Sequence, residues 1–445
     1  MSTATQLTAA SSADSSAPST SRPHSAGSQR ERLAAARARL QPVFDDVAQG
    51  VVQREVDHEL PRAQVQALVE AGFTQLRVPV EHGGDGLDLV AFTELLIDLA
   101  AADSNLPQIF RGQIAWVEHL LSLPEGPYRD AWFARIAAGE WTGNAWSETG
   151  GTTLGGQATK VRRDADGRWR ISGRKYYTTG TIYAGWSDVV AQLTDDATLA
   201  AQEAGDAAAG TVTALVRLDQ PGVTVSDDWD GFGQQLTGTG TLVLDDALVE
   251  DDDLAAFDDR FRYQTALYQL VLLAVHAGIA AAVERDTAHE VRARTRSYSH
   301  GLAPVVREDP QVLAVAGEIS SIAFAARATA LAAAAAVQGA ADTAHDRDGE
   351  ADLAANVRAE IATAQAQVVL SESVPRAATL LFNTLGASGT SRAKDLDRHW
   401  RNARTVASHN PVIYKARIVG DWSVNGTTPP YVWAIGTHTA ATPAG

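Results

Sequence analysis

The spacing of hydrophobic positions divides the chain into three regions. Between about residues 30 and 140, apolar residues recur at helical spacing, as in Val65, Leu68 and Val69 after a proline start at Pro61. Gly72 is a typical helix stop, and a glycine-rich segment at residues 80–86 precedes a predicted helix over residues 89–101. This first region is therefore predicted to be helical.

The second region, residues 141–254, has the pattern of strands. Apolar and β-branched residues dominate short runs at residues 169–173, 175–179, 212–216 and 239–244. Residues 194–210, rich in alanine, aspartate and glycine, interrupt these runs and are predicted to be an inserted loop.

The third region returns to helical spacing. Leu270, Leu273, Ala274 and Ala277 share one face, and an alanine-rich pattern continues to about residue 385. Such apolar helices predict a closely packed bundle that also accepts a neighbouring subunit. The predicted organisation is a disordered arm (residues 1–28), a helical domain (29–140), a β domain (141–254), a helical bundle (255–420) and a tail (421–445).

Composition narrows the possible functions. The chain has 445 residues and no cysteine, which excludes disulfides, thiolate zinc sites, iron–sulfur clusters and a cysteine nucleophile; no metal site is predicted. A net charge of −17 argues against a nucleic-acid or anionic-membrane surface. The first residues lack the apolar core of a secretory signal, and the alanine run at residues 331–337 is too short to span a bilayer. A cytoplasmic protein is expected.

Five motifs occur in an order that resembles the acyl-CoA dehydrogenase family. They are Asn144-Ala145-Trp146-Ser147-Glu148-Thr149-Gly150-Gly151, Ile171-Ser172-Gly173-Arg174-Lys175-Tyr176-Tyr177-Thr178-Thr179-Gly180, Trp229-Asp230-Gly231-Phe232-Gly233, Leu385-Gly386-Ala387-Ser388-Gly389 and Arg398-His399-Trp400-Arg401-Asn402-Ala403-Arg404. The resemblance implies an α+β acyl-CoA dehydrogenase fold: an N-terminal helical domain, a central barrel-like β domain and a C-terminal four-helix bundle.

The resemblance also implies a flavin site. Hydroxyl and amide donors suit the anionic edge of a reduced flavin without adding charge. The residues implied to bind it are Asn144, Ser147, Thr178, Thr179, Trp229 and His409, with Arg294 or Arg296 holding the phosphate, from a neighbouring subunit. Read without the resemblance, Thr178-Thr179-Gly180 is a strand ending in a turn, and both arginines are surface residues.

One motif departs from the family. Where acyl-CoA dehydrogenases carry the glutamate that removes the substrate α-proton, this chain has Asn410, between His409 and Pro411. An amide cannot act as a general base near neutral pH. The pattern instead resembles the dibenzothiophene monooxygenase group, which takes reduced FMN from a separate reductase and reacts it with O₂. Membership of that group would make His409 and Asn144 catalytic, with His409 donating to a flavin hydroperoxide. The alternative for His409 is that it caps a turn. A structural role is also open to His399, which would pair with a carboxylate.

A second departure concerns the substrate side. The group tends to carry a histidine where this chain has Gln113, and Trp116 and Val117 follow on the same helix; these three are predicted to contact substrate. The leading hypothesis is a homotetrameric FMNH₂-dependent monooxygenase, supplied by an NAD(P)H-dependent flavin reductase. Its substrate would be small and apolar, oxygenated at sulfur, nitrogen or an aromatic carbon. The alternatives are an FAD-dependent acyl-CoA dehydrogenase with a relocated base and a catalytically silent partner protein.

Overall fold

The structure is a computed structural model and describes residues 28–149 and 154–431. The predicted arm up to residue 27, and Gly150 and Gly151 of the first motif, lie outside the described residues. The chain begins with seven α-helices within residues 28–137: α1 (Gln29–Gln49), α2 (Val51–Asp57), α3 (Arg62–Glu70), α4 (Leu89–Ala102), α5 (Leu106–Ile109), α6 (Arg111–Ser122) and α7 (Pro127–Ala137).

Local signals account for the ends of these helices. Ser28 and Glu31 form a capping box at the start of α1, and Asp88 accepts a hydrogen bond from Ala91 N at the start of α4. Gly72, two residues beyond α3, has a φ of 79°, a left-handed conformation that glycine adopts without strain. The helical pattern read from the sequence is thus present.

The middle of the chain forms one mixed sheet. Its strands are β1 (Thr142–Ala145), β2 (Lys160–Arg163), β3 (Trp169–Lys175), β4 (Trp186–Leu193), β5 (Thr211–Arg217), β6 (Val223–Val225), β7 (Leu242–Val249) and β8 (Leu254–Ala256). The order is β6-β7-β3-β2-β4-β5-β8, and β1 pairs in parallel with β4 beside β2. Buried alternating residues such as Val161, Ile171 and Val189 form its core.

The predicted loop at residues 194–210 is partly wrong. It contains a helix, α8 (Asp196–Glu203), which begins where the Asp195 side chain accepts a hydrogen bond from Thr198 N. The alanines that looked like loop composition are good helix formers once a cap is present.

Long helices form the rest of the chain: α9 (Gln264–Ala293), α10 (Pro310–Thr343), α11 (Glu350–Asn383), α12 (Arg398–Ala407) and α13 (Val412–Asn425). α13 runs past residue 420, where the bundle was expected to end, because Gly420 stays helical and the helix ends only before Gly426, at φ 72°. Helices α9 to α12 share one hydrophobic core with α1 and α4. The architecture is the predicted α+β fold.

Two helical segments, α9 and residues 310–346, are long and apolar enough to cross a membrane. The apolar part of α9 is 94% buried inside the protein, as expected for the core helix of a bundle. The apolar part of the second segment is only 33% buried, and Phe324 on α10 is 78% exposed.

Candidate active site

A cavity of about 630 Å³ lies where the N-terminal helices, the sheet and the bundle meet. It has the size of a typical ligand site. Five of the predicted site residues line it: Asn144, Ser147, Thr179, Trp229 and His409. They come from β1, the segment after β1, the segment after β3, the β6–β7 connection and the turn between α12 and α13.

His409 lies at the turn between α12 and α13 and lines the cavity. Its Nε2 is 2.6 Å from Nη1 of Arg111, the first residue of α6. A guanidinium has no acceptor, so Nε2 accepts and the neutral ring carries its proton on Nδ1. Desolvation and then the Arg111 charge hold the pKa of His409 well below its usual range. The imidazole is therefore a neutral hydrogen-bond donor at physiological pH.

Buried polar atoms without a protein partner cluster on the cavity wall. Among the described residues, Asn144 Oδ1 and Asn410 Nδ2 are two of them, and the others are Gln108 Oε1, Arg111 Nε, Gln234 Oε1, Tyr268 Oη and Gln269 Nε2. Buried polar groups are nearly always hydrogen-bonded, so these atoms indicate a ligand with several donors and acceptors. The polar edges of a flavin ring supply both kinds, and the donor set fits that group.

Glu148 is the one carboxylate among the described residues that line the cavity, and it is engaged. Lys175 Nζ lies 2.6 Å from its Oε1, and the amides of Ala158 and Thr159 donate to its two oxygens. Burial raises the pKa of Glu148, but the ion pair outweighs burial and the pKa is lowered. Glu148 thus holds the loop after β1 in place rather than serving as a base.

One wall of the cavity is aromatic. Trp146 packs edge-to-face against Phe257 and Tyr268, with ring centroids 5.6 and 5.2 Å apart. The Trp146 indole donates to Asp188 at 3.2 Å, and Asp188 pairs with Arg260 at 3.0 Å. This buried ion pair positions an apolar surface that keeps water from one side of the site.

Thr178, Gln113, Trp116 and Val117 do not belong to the described lining. Thr178 Oγ1 donates to Gly240 O behind the wall. Gln113, Trp116 and Val117, which were predicted to contact substrate, all lie on α6 outside this lining. Gln113 is two residues from Arg111, and residues two apart on a helix differ by about 200° in direction. Arg111 faces the cavity, so Gln113 faces away, and its Oε1 accepts from Thr142 N.

Trp116 and Val117 belong instead to an aromatic cluster beneath α6, where Trp116 packs edge-to-face on Trp132. Arg111 was not among the residues predicted for the site. A lone charge between Ile109-Phe110 and Ile114-Ala115-Trp116 is the signal that could have revealed it.

The two predicted phosphate ligands lie just after α9, away from the cavity lining. Arg294 Nη1 donates to Thr384 O, and its Nη2 lies beside the glycine turn at Gly386. Arg296 is exposed. The structure therefore joins Arg294 to the fourth motif but not to the cavity of its own subunit.

His399 has a structural contact. Its Nε2 lies 2.8 Å from Asp286 Oδ2, which Arg398 also contacts at 2.7 Å. The sequence left open whether His399 pairs with a carboxylate, and in the structure it does.

Comparison with known proteins agrees with this architecture over most of the described chain. The acyl-CoA dehydrogenase N-terminal, middle and C-terminal domains match residues 29–140, 144–247 and 270–413. The chain belongs to the acyl-CoA dehydrogenase family. Both the fold and the family resemblance inferred from the sequence are confirmed.

Within this family the chain falls with the dibenzothiophene monooxygenase group. It is 28% identical to a dibenzothiophene monooxygenase of Rhodococcus qingshengii, over 82% of this chain and 88% of that one. It is 25% identical to the probable FMNH₂-dependent monooxygenase SfnC of Pseudomonas putida, over 86% and 93% of the two chains. The crystal structure of TdsC from Paenibacillus sp. A11-2 with FMN and indole has a TM-score of 0.78 at 27% identity, covering 89% of this chain and 98% of that one.

Proposed function

We propose that the protein is a flavin-dependent monooxygenase that uses reduced FMN and O₂ to oxygenate a small substrate with an apolar body. The oxygenated atom is sulfur, nitrogen or an aromatic carbon. The names of the similar proteins support this reaction class and FMN as the cofactor.

The observation that carries the proposal is the lack of a free carboxylate on the described cavity wall. Asn410 occupies the place of the dehydrogenase glutamate, and Glu148 is bound by Lys175. The residues of α9 that line the cavity are Gln264, Thr265, Tyr268 and Gln269, none of which is a carboxylate. This disfavours an acyl-CoA dehydrogenase with a relocated base, since α-proton removal needs one.

The cofactor, when bound, supplies two electrons that reduce O₂ so that one oxygen atom enters the substrate and the other leaves as water. The chain's own residues have simpler tasks. His409 holds a proton at Nδ1 and can donate it in a hydrogen bond within the cavity. Asn144 offers a second polar group on the wall, and the aromatic surface around Trp146 restricts water. We assign His409 and Asn144 catalytic roles.

Ser147, Thr179 and Trp229 would contact the flavin ring from the β side of the cavity. Arg294, with Arg296 beside it, would hold the FMN phosphate of a neighbouring subunit, because both lie outside the cavity of their own chain. That arrangement requires an oligomer, and a homotetramer is the proposed state. A separate NAD(P)H-dependent flavin reductase would supply FMNH₂.

The test combines purified protein, FMN, a flavin reductase and NADH in air, with dibenzothiophene or indole as the trial substrate. Oxygenated product accompanied by less H₂O₂ than in the protein-free control supports the proposal. Tightly retained FAD that is bleached by an acyl-CoA, with no oxygenated product from either compound, would contradict it and favour the dehydrogenase.

A further inference from the structure

Arg111 differs from the other buried arginines of the described chain. Four arginines are at most 6% exposed: Arg54, Arg111, Arg260 and Arg398. Three of them pair with a carboxylate, at 3.2 Å to Asp103, 3.0 Å to Asp188 and 2.7 Å to Asp286. Arg111 has no carboxylate within 4.0 Å among the described residues, and Asp14 is the sole acidic side chain of the remainder. Within the described part of the chain, Arg111 is thus the one of these four arginines without a counter-ion.

The contacts that Arg111 does make leave its charge uncompensated. Nη1 donates to neutral His409, the guanidinium carbon lies 5.2 Å from the Tyr268 ring centre, and Nε has no protein partner. Burial lowers the pKa of Arg111 to about 10, so the group remains charged at neutral pH. Burying a charge without a partner is strongly unfavourable. An anionic ligand in the cavity would remove that cost.

The surroundings of Arg111 limit the form of that ligand. The guanidinium fork matches a carboxylate in two parallel hydrogen bonds. Beside it, Tyr268 and Trp146 line the cavity and offer aromatic surface to a planar apolar body. Arg111 extends from the helical half of the cavity, whereas Ser147 and Thr179, proposed for the flavin, lie on the β half.

We propose that the substrate is a small aromatic carboxylate, held by the Arg111 fork with its ring against Tyr268 and Trp146. Arg111 is then a specificity-determining residue. The inference rests on the proposed function for the reaction but not for binding, which can be measured without turnover.

Isothermal titration calorimetry of the full chain loaded with oxidised FMN tests it, with indole and indole-2-carboxylate as matched probes. Wild type should bind the carboxylate at least 10-fold more tightly than indole. Arg111→Met should weaken carboxylate binding by 10-fold or more and leave indole binding unchanged, and Arg111→Lys should keep part of the preference. Gln113→Met, on the same helix but facing away, is the matched control and should bind both probes with wild-type affinity.

Equal affinities of wild type for the two probes, or an unchanged carboxylate affinity in Arg111→Met, would overturn the inference. The wild-type comparison decides the matter alone if Arg111→Met does not fold. A lower FMN reduction potential in Arg111→Met with unchanged carboxylate binding would assign the charge to the reduced flavin instead. If carboxylate preference is found but no compound is oxygenated, the proposed function fails while this inference stands; if indole is oxygenated without carboxylate preference, the reverse holds.

Discussion

Two buried cations lie at the cavity, Arg111 on its wall and Lys175 behind Glu148, and they differ in what neutralises them. Lys175 is fully buried and contacts Glu148, Gln157 and the carbonyl of Trp146. Arg111 is almost as buried and contacts an uncharged imidazole and the face of a phenol ring. The charge of Lys175 is neutralised within the protein, whereas we expect a bound ligand to neutralise the charge of Arg111. Lys175 therefore supports the structure around the cavity, and Arg111 belongs to the proposed binding surface.

Removing each cation in turn tests whether Lys175 and Arg111 differ in role. Lys175→Met leaves Glu148 buried without its partner and should lower the free energy of unfolding by about 3–5 kcal/mol. Arg111→Met loses one hydrogen bond, worth about 1 kcal/mol, but also relieves the cost of an unpaired buried charge, so the free energy of unfolding should stay the same or rise. Chemical denaturation of flavin-free protein measures both. Equal losses in the two variants would show that the cations do not differ in role.

Glu360 provides an intermediate case, a buried anion that is partly neutralised. Thr265, on the cavity wall, donates to it, and Lys415 lies close enough to act on its charge. Burial nevertheless raises the pKa of Glu360 from 4.5 to about 7. The folded protein then keeps a proton that the unfolded chain loses, so the free energy of unfolding falls as the pH rises from about 4.5 to about 7.

Glu360→Gln should remove that pH-dependent loss. It is expected to be more stable than wild type at pH 8, by at most about 3 kcal/mol, and to show no such advantage at pH 4. Denaturation curves at the two pH values test this, with Glu350→Gln at the start of α11 as an exposed control. An advantage of Glu360→Gln that is the same at both pH values would show that Glu360 does not titrate in this range.

His409 contacts the unpaired Arg111 and is also proposed to act in the oxygenation reaction. His409→Ala removes the Nδ1 donor and should reduce product formed per FMNH₂ by about 100-fold, with H₂O₂ released instead. Product and peroxide are quantified in the same reductase-coupled assay. His409→Asn, which keeps an amide donor, should recover part of the coupling. Unchanged coupling in His409→Ala would remove His409 from the mechanism.

The sequence predicted the fold better than the site. Helical and strand periodicities predicted the three regions. Five of the site residues predicted from the motifs line one cavity. The Arg111–His409 contact joins residues 298 positions apart, a distance in sequence over which local patterns carry no information. The α8 helix was missed because its cap, Asp195, lies in a stretch whose composition is typical of loops.

Gln113 shows why position on a helix outweighs residue type. It was predicted to contact substrate because similar enzymes carry a histidine there, yet its side chain accepts from Thr142 N at 3.0 Å on the far side of α6. Gln113→Met should therefore cost about 1 kcal/mol of stability, the value of one buried hydrogen bond, and leave substrate preference unchanged. Competition between indole and dibenzothiophene in one assay measures the preference. A shifted product ratio at unchanged stability would place Gln113 in the substrate site and move the specificity-determining face of α6 away from Arg111.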